Sequence, residues 1–391
     1  MREVYVIGIG ITSFSRLEYP LVEVAGYPAM MALKDCGLSK VDHVYVSNMG
    51  ASRINRQTGF ASAVVDHLSL TPAGAELIEN GPASGASAIK TGFMAVASGV
   101  HDVVLVTGAE RMREVDNLEA TDFVASLTHP LAEQIYGVTL PSLAGMFARL
   151  YMEKYGITSR HLAMVAVKNH DNAMYNPFAH LHERITIEGI LDSADAMTNN
   201  PFVAEPLRFY DMCPVSDGGA CLILASADVA KKTGKPMIRL SGVGQATDTH
   251  CVHDREDPTD LLAVRGAAAK AFQMAGVAPG DVDVAELHDA FTILEIAESE
   301  EVGFFKKGEG HLALEEGYTK LKGKLPINTS GGLKAKGHPV GATGIGQAHE
   351  LVVQLRGEAG ERQVKDAKIG FSCNFGGFGN NVVALVFTKE K

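Results

Sequence analysis

Short apolar runs bounded by glycine or polar residues recur along the chain: VYVIGIG (4–10), HVYVSNM (43–49), DVVLVTGAE (102–110), ACLILAS (220–226), MIRLSGVG (237–244), DVAELHD (283–289), KIGFSCNFGG (368–377) and NVVALVFT (381–388). Their length and Val/Ile content predict strands buried on both faces. Stretches between them, such as EVAGYPAMMALKDCG and LLAVRGAAAKAFQMAG, carry small and apolar residues at helical spacing. Strand and helix alternate, so the pattern predicts an α/β fold with mostly parallel sheets covered by helices. GIGIT (8–12) is taken as a glycine turn; it lacks the full GxGxxG and does not predict a dinucleotide site.

The pattern is written twice. AMMALKDCGLSKVDHVYVSNM (29–49) matches AAAKAFQMAGVAPGDVDVAELHD (267–289), each a helix, a glycine, a polar link with Val-Asp and a strand. GASAIKTGFMAVASG, starting at Gly85, likewise parallels GATGIGQAHELVVQLRG, starting at Gly341. Three residues before these glycines stand Pro82, in ENGPASGAS, and His338, in KGHPVGATG. Duplication divides the chain into halves at 1–230 and 235–391 and sets the twin turns face to face across a pseudo-twofold axis. Residues 111–210 interrupt the first half with a polar, helical stretch rich in Tyr, His and Met. An insertion at the carboxyl ends of strands predicts a lid over a substrate cavity. Within it Tyr136, Phe147, Tyr151 and Met174 either line an apolar site or form the lid's own core.

Composition narrows the class. With 391 residues, 46% of them hydrophobic, the chain can bury a large core in two or three packed units. A net charge of −11 and the absence of a basic tract argue against nucleic acid and anionic membranes as partners. The five cysteines, Cys36, Cys213, Cys221, Cys251 and Cys373, are scattered and form no CxxC pair, which points to a reducing, cytoplasmic setting. No metal-ligand spacing is present.

Three residues stand out as candidate chemistry. His338 precedes a proline at a Gly-rich helix start and can act as a base or donate to an oxyanion. Cys373, in FSCNFGGFGNN, ends a strand before glycines, Gly376 and Gly377 among them, that let backbone N–H groups approach a ligand. His288, in ELHDAF, leaves a buried strand with Asp289, which can fix the loop. His170 can reach a ligand from the lid, whereas His129, His180 and His182 read as surface residues. Pro82 is the anomaly: a turn feeding the positive end of a helix is a usual place for a nucleophile, and proline has none.

HDAF (288–291), GGLKAKGHPVGATG (331–344), CNFGGFG (373–379), YMEKYGIT, KNHDNAMYNP and PLRFYDMCPVSDGGA together resemble the thiolases over essentially the whole chain. The likeness is greatest to the sterol-carrier-protein-type and archaeal acetyl-CoA thiolases. The resemblance implies a duplicated αβαβα five-layer sandwich of two five-stranded halves with an inserted loop domain. It also implies that a C–C bond is made or broken beside a CoA thioester. It gives His338 the role of activating the nucleophile and binding the thioester oxygen, Cys373 that of acid/base, and His288 that of positioning an oxyanion donor. Gly337, Gly376, Gly377 and Ser330 fall in the CoA and oxyanion region. The acylated cysteine of the family, in a stretch like NxCASG, falls on Pro82, and this chain departs there; Ser84 is an ordinary part of the motif.

Three functions follow as expectations. One is degradative thiolysis of a 3-oxoacyl-CoA by an atypical site. The second is retro-aldol cleavage of a 3-hydroxyacyl-CoA, which needs a base and enolate donors but no nucleophile. The third is a non-catalytic acyl-CoA-binding subunit, against which the retained His338, His288 and Cys373 argue. CoA enters as substrate or product, with no covalently bound cofactor. The resemblance further implies a homodimer or larger assembly and a small OB-fold/zinc-ribbon partner protein.

Overall fold

The computed structural model describes residues 1–193 and 195–390. Its strands are β1 (Val4–Ile11), β2 (His43–Ser47), β3 (Gly74–Ile78), β4 (Val103–Arg111), β5 (Phe202–Ala204), β6 (Leu207–Arg208), β7 (Asp217–Ser226), β8 (Ile238–Thr247), β9 (Val284–Glu286), β10 (Ile369–Gly376) and β11 (Asn381–Lys389). All eight apolar runs form strands. β3 gave no such signal, because this edge strand is largely exposed and does not need an apolar run.

The strands run β3-β2-β4-β7-β1-β8-β11-β10-β9 in one nine-stranded sheet, with β5 and β6 a separate hairpin. Outward from the β1–β8 junction, each half repeats one order: first strand, last strand, penultimate strand, second strand. The junction is short, pairing only Tyr5 with Arg239 and Val6 with Ile238. The expected fifth strand of the second half is reduced to a parallel Ala285–Ile327 bridge. Pro326, which lacks an N–H, and Asn328, at φ 59°, end the pairing on either side. The sheet is also more mixed than expected. β2–β3, β2–β4 and β9–β10 are parallel, and the other five pairings are antiparallel. A link of residues 377–380 between β10 and β11 is too short for a crossover and forces an antiparallel pair.

The helices that follow the twin turns, Ser84–Ser98 and Val340–Arg356, lie together between the halves and contact strands of both. Their crossing is built from glycine: a side chain on Gly344 would begin 2.4 Å from the Ala86 nitrogen, and one on Gly85 2.9 Å from the Ile345 nitrogen. Helices Leu21–Cys36 and Leu262–Ala275 cover the outer faces and complete five layers. The glycines of GIG belong to mid-strand β1, not to a turn. A side chain on Gly10 would begin 2.0 Å from the Pro28 carbonyl oxygen, so glycine lets Leu21–Cys36 lie directly on the strand. Gly244 in β8 does the same for Leu262–Ala275, at 1.9 Å from the Ala267 carbonyl oxygen.

Candidate active site

A cavity of about 710 Å³ opens between the halves and the insertion. Pro82, His288, His338, Phe375 and Gly377 form its floor; Arg113, His170 and Tyr210 are among the insertion residues in its wall. Residues of the insertion thus form part of the cavity lining. None of the four residues considered for an acyl pocket lines it. Phe147 and Tyr151 are buried and stacked on each other with centroids 5.3 Å apart, Met174 is half-buried, and Tyr136 is 79% exposed. Tyr151 donates to Glu300, which anchors the helix Leu140–Tyr155 in the second half.

His288 and His338 meet on the floor, ring centroids 5.0 Å apart and nearly perpendicular, at 87°. The His288 ring lies flat on Phe375, 5.2 Å away with 4° between planes. Local bonds set the protons on both rings. Thr343 Oγ1 donates to the Pro339 carbonyl at 2.9 Å, so at its 2.7 Å contact with His338 Nδ1 it accepts. Nδ1 therefore carries the proton and Nε2 is bare. Asn374 Nδ2 donates to His288 Nδ1 at 3.1 Å, which leaves His288 Nε2 as the donor. The Asn374 carbonyl oxygen is buried near Gly344 and accepts no hydrogen bond from a described residue. Burial, helped by the Lys336 charge, lowers the His338 pKa to about 3, and burial and His338 hold His288 well below the usual range. The floor thus pairs one neutral ring that accepts with one that donates.

The second half holds this pair in place from behind. Glu298 accepts from the His288 backbone N–H at 3.0 Å. Asp289 accepts from the Leu333 N–H at 2.6 Å and the Lys334 N–H at 3.3 Å, at the start of the helix Gly332–Lys336 that leads into His338. Asp289 thus fixes the loop, as its place in the motif suggested; burial and Glu295 push its carboxyl up to about 7.

Other sequence candidates lie elsewhere. Cys373 does not line the cavity. It is fully buried in the second-half core, on the same strand face as Phe371 and Phe375, and its thiol is pushed well up by burial and by the Glu298 carboxyl. Depth along the strand decided this: Phe375, two residues on and on the same face, does line the cavity. Ser330 is buried and its hydroxyl donates to Glu286, so it braces a turn. Gly337, at φ 108°, passes close to Ser216, where a side chain would begin 2.6 Å from the hydroxyl. Gly376 lines a second, more open cavity of about 700 Å³, and Gly377 lines both. Ser84 Oγ donates to the Gly81 carbonyl at 2.6 Å and is fully buried. Of the outlying histidines, His170 lines the cavity, His129 and His180 are half-buried, and His182 is exposed.

The sequence reading also missed residues in the cavity wall. Cys213 is the cysteine that lines the cavity; its backbone N–H donates to the Ala290 carbonyl at 3.0 Å, beside the floor. Burial pushes its thiol up to about 12. Lys334 lines the wall near His170 and Tyr210. Its place four residues before His338, in a buried helix, was the available signal. Glu133, Cys251 and His253 bring potential metal-ligand atoms within 4.8 Å of one another in loops outside the main cavity, but the Glu133 carboxylate already accepts the His129 and Val252 N–H groups. Among the described residues no helix is long and apolar enough to cross a membrane.

The chain matches the thiolase N-terminal domain family over residues 12–228 and the thiolase C-terminal domain-like family over 244–389. It is 42% identical to the acetyl-CoA acetyltransferase of Methanothermobacter thermautotrophicus, covering 100% of both chains. It is 32% identical to human sterol carrier protein 2, over 98% of this chain and 72% of that one. Its fold is similar to that of the Ltp2-ChsH2(DUF35) aldolase, with a TM-score of 0.85 and 24% identity over 100% and 98% of the two chains.

Proposed function

The chain belongs to the thiolase superfamily, a family of acyl-CoA acyltransferases; from that premise we propose that it cleaves a 3-hydroxyacyl-CoA by retro-aldol chemistry, without an acyl-enzyme. One observation carries this reading: the cavity that holds His288 and His338 has Pro82 where the acylated cysteine would stand. A thiolase stores its acyl group as a thioester on a thiolate favoured by a helix N-terminus. Pro82 offers no such atom, and Cys373 is not among the residues that line the cavity.

The retro-aldol step needs only a base and a donor. His338 Nε2 accepts the C3 hydroxyl proton as the C2–C3 bond breaks, releasing an aldehyde or ketone. The bonding electrons pass into the thioester enolate, whose oxygen the His288 Nε2–H stabilises. Return of the proton to C2 gives the shortened acyl-CoA, so neither water nor free CoA is consumed. A ring with its pKa near 3 is a weak base by itself. It charges only as the enolate becomes negative beside it, so the low-dielectric site couples the two events. Thiolysis of a 3-oxoacyl-CoA is the second reading; Cys213 in the wall and the identity to an acetyl-CoA acetyltransferase favour it. A thiol pushed up to about 12 is a poor nucleophile, which places this reading second.

The same reading takes 1–230 and 235–391 as the duplicated halves and CoA as the carrier of substrate and product. The exposed edge strand β3 suits pairing between two copies. The aldolase of similar fold is named for two components, and we extend this to a small OB-fold/zinc-ribbon partner here. The test incubates the protein, with any small protein that co-purifies, with matched 3-hydroxyacyl-CoA and 3-oxoacyl-CoA panels, with and without free CoA. Products are read by mass. Cleavage of the hydroxy series without CoA, releasing a carbonyl compound, supports the proposal. Cleavage of the oxo series only with CoA overturns it in favour of thiolysis. Silence on both panels points to a binding subunit.

A further inference from the structure

Among the described residues three lysines are almost fully buried: Lys168 at 5% exposure, Lys334 at 2% and Lys336 at 1%. Lys168 is paired with Glu295 at 2.9 Å and Lys336 with Glu286 at 3.6 Å. Lys334 makes no ion pair with any described residue. Its one hydrogen-bond partner among them is His170 Nε2, at 3.2 Å. His170 is fixed for this contact, because its Nδ1 proton goes to the Glu183 carbonyl at 2.7 Å. The nearby carboxylates are committed elsewhere: Asp211 to Thr292 and the Arg208 N–H, Asp289 to Asn169 and the helix start. Glu183 supplies the one carboxylate in the cavity lining; it is exposed at the rim and unpaired with the ammonium.

An ammonium offers three donors, and here two have no protein acceptor. Lys334 nevertheless lines the cavity that holds His288 and His338, in a wall otherwise dominated by apolar residues. The face of Tyr210 lies 5.7 Å from its Nζ. An unpaired buried cation is costly, and it is kept where an anion arrives to complete it. Burial lowers its pKa only to about 8, so it remains mostly protonated near neutral pH.

We propose that Lys334 is the specificity residue of this cavity and binds a carboxylate on the acyl part of the substrate, so that the enzyme takes carboxyacyl-CoA thioesters in preference to plain acyl chains. The anion is the substrate's own: the thioester sits over the two histidines while the far carboxylate replaces the missing partner of the ammonium. This rests on the reading of the cavity as an acyl-CoA site.

Binding rather than turnover tests it. Dissociation constants are measured calorimetrically for ω-carboxyacyl-CoAs from succinyl-CoA to adipyl-CoA and for their methyl-terminated isosteres, beginning with pentanoyl-CoA against succinyl-CoA. The protein is wild type, Lys334→Met or Lys334→Arg, each with any co-purifying small protein. At least one carboxyacyl thioester is expected to bind wild type about 10- to 100-fold more tightly than its isostere, the range of one charge-assisted hydrogen bond. Lys334→Met should abolish that difference while leaving the methyl-terminated ligands within about threefold, and Lys334→Arg should keep part of it. Equal or weaker binding of every carboxyacyl-CoA by wild type overturns the inference whether or not the variants fold, as does discrimination that survives in Lys334→Met. Binding of plain acyl-CoAs with no carboxylate preference leaves the proposed function standing while this inference falls. Failure to bind any acyl-CoA defeats both.

Discussion

At the scale of single residues, the site is defined as much by what is missing as by what remains. Pro82 removes the nucleophile, yet the two histidines keep complementary protonation because Thr343 and Asn374 each engage one Nδ1. Two substitutions separate this arrangement from the alternatives. His338→Gln keeps a polar side chain of similar reach but loses the proton acceptor, and C–C cleavage is expected to fall by about 10²- to 10⁴-fold with acyl-CoA binding changed only a few-fold. Cys373→Ala should leave the cleavage rate within about threefold, because the thiol is fully buried and does not line the cavity. A loss with Cys373→Ala comparable to that of His338→Gln would show that the thiol takes part in the chemistry after all. Steady-state rates and an acyl-CoA binding measurement on both variants decide between these outcomes.

At the scale of elements, the two Gly-rich turns are held against each other by contacts between the halves. Glu110, at the end of β4, accepts from the Met49, Gly50 and Gly341 N–H groups at 3.0, 2.8 and 3.0 Å and from Asn48 at 3.0 Å. One carboxyl of the first half therefore secures the helix start of the second; burial raises it to about 7. Glu110→Ala leaves several donors without an acceptor and should destabilise the protein by about 3 kcal/mol or more. Gly344→Ala should cost about 1–3 kcal/mol by forcing the central helices apart at their closest approach. Denaturant midpoints measure both. If Gly344→Ala left the midpoint unchanged, the crossing would be looser than the 2.4 Å clearance indicates.

At the scale of the whole molecule, buried titratable groups set the response to pH. His338 and His349 are lowered to about 3 and His170 to about 4, so in the folded state they stay neutral while the unfolded chain takes up protons below about 6.5. Their contribution to stability is complete above that pH and is lost as pH falls towards the folded values. Glu110 and Asp289, both raised to about 7, act oppositely: the folded state holds their protons first, so their penalty is relieved as pH falls from about 7 to about 4.5. These effects oppose each other between about pH 4.5 and 6.5, where stability should vary little. Below about 4.5 the histidines are joined by carboxyls held low by cationic partners, such as Asp257 at about 2, and a steep loss is expected. Lys334, lowered to about 8, carries a burial penalty that is relieved as pH rises from about 8 to 10.5, so its own contribution is a gain in stability over that range. Chemical denaturation from pH 3.5 to 10.5 measures the whole profile, and a steady decline from neutrality to pH 4.5 would contradict the opposition.

The sequence by itself determined the strands that are buried on both faces, because only apolar runs survive there, and it determined the duplication, because both halves solve the same packing problem with the same residues. Gly8 and Gly10 in β1 and Gly242 and Gly244 in β8 show this again, each pair letting a helix lie on its strand. It also marked His288, His338 and the anomaly at Pro82, since polar groups and a proline at strand and helix ends are conspicuous in one dimension. Only the tertiary structure decided which side chains share the cavity. Cys373 stands at a promising place in the chain but is fully buried and does not line the cavity, while Cys213 and Lys334, far apart in sequence and inconspicuous there, reach the same wall. The lack of an ion-pair partner for Lys334 among the described residues was equally invisible, because an ion pair depends on distances between segments that nothing in their order along the chain fixes.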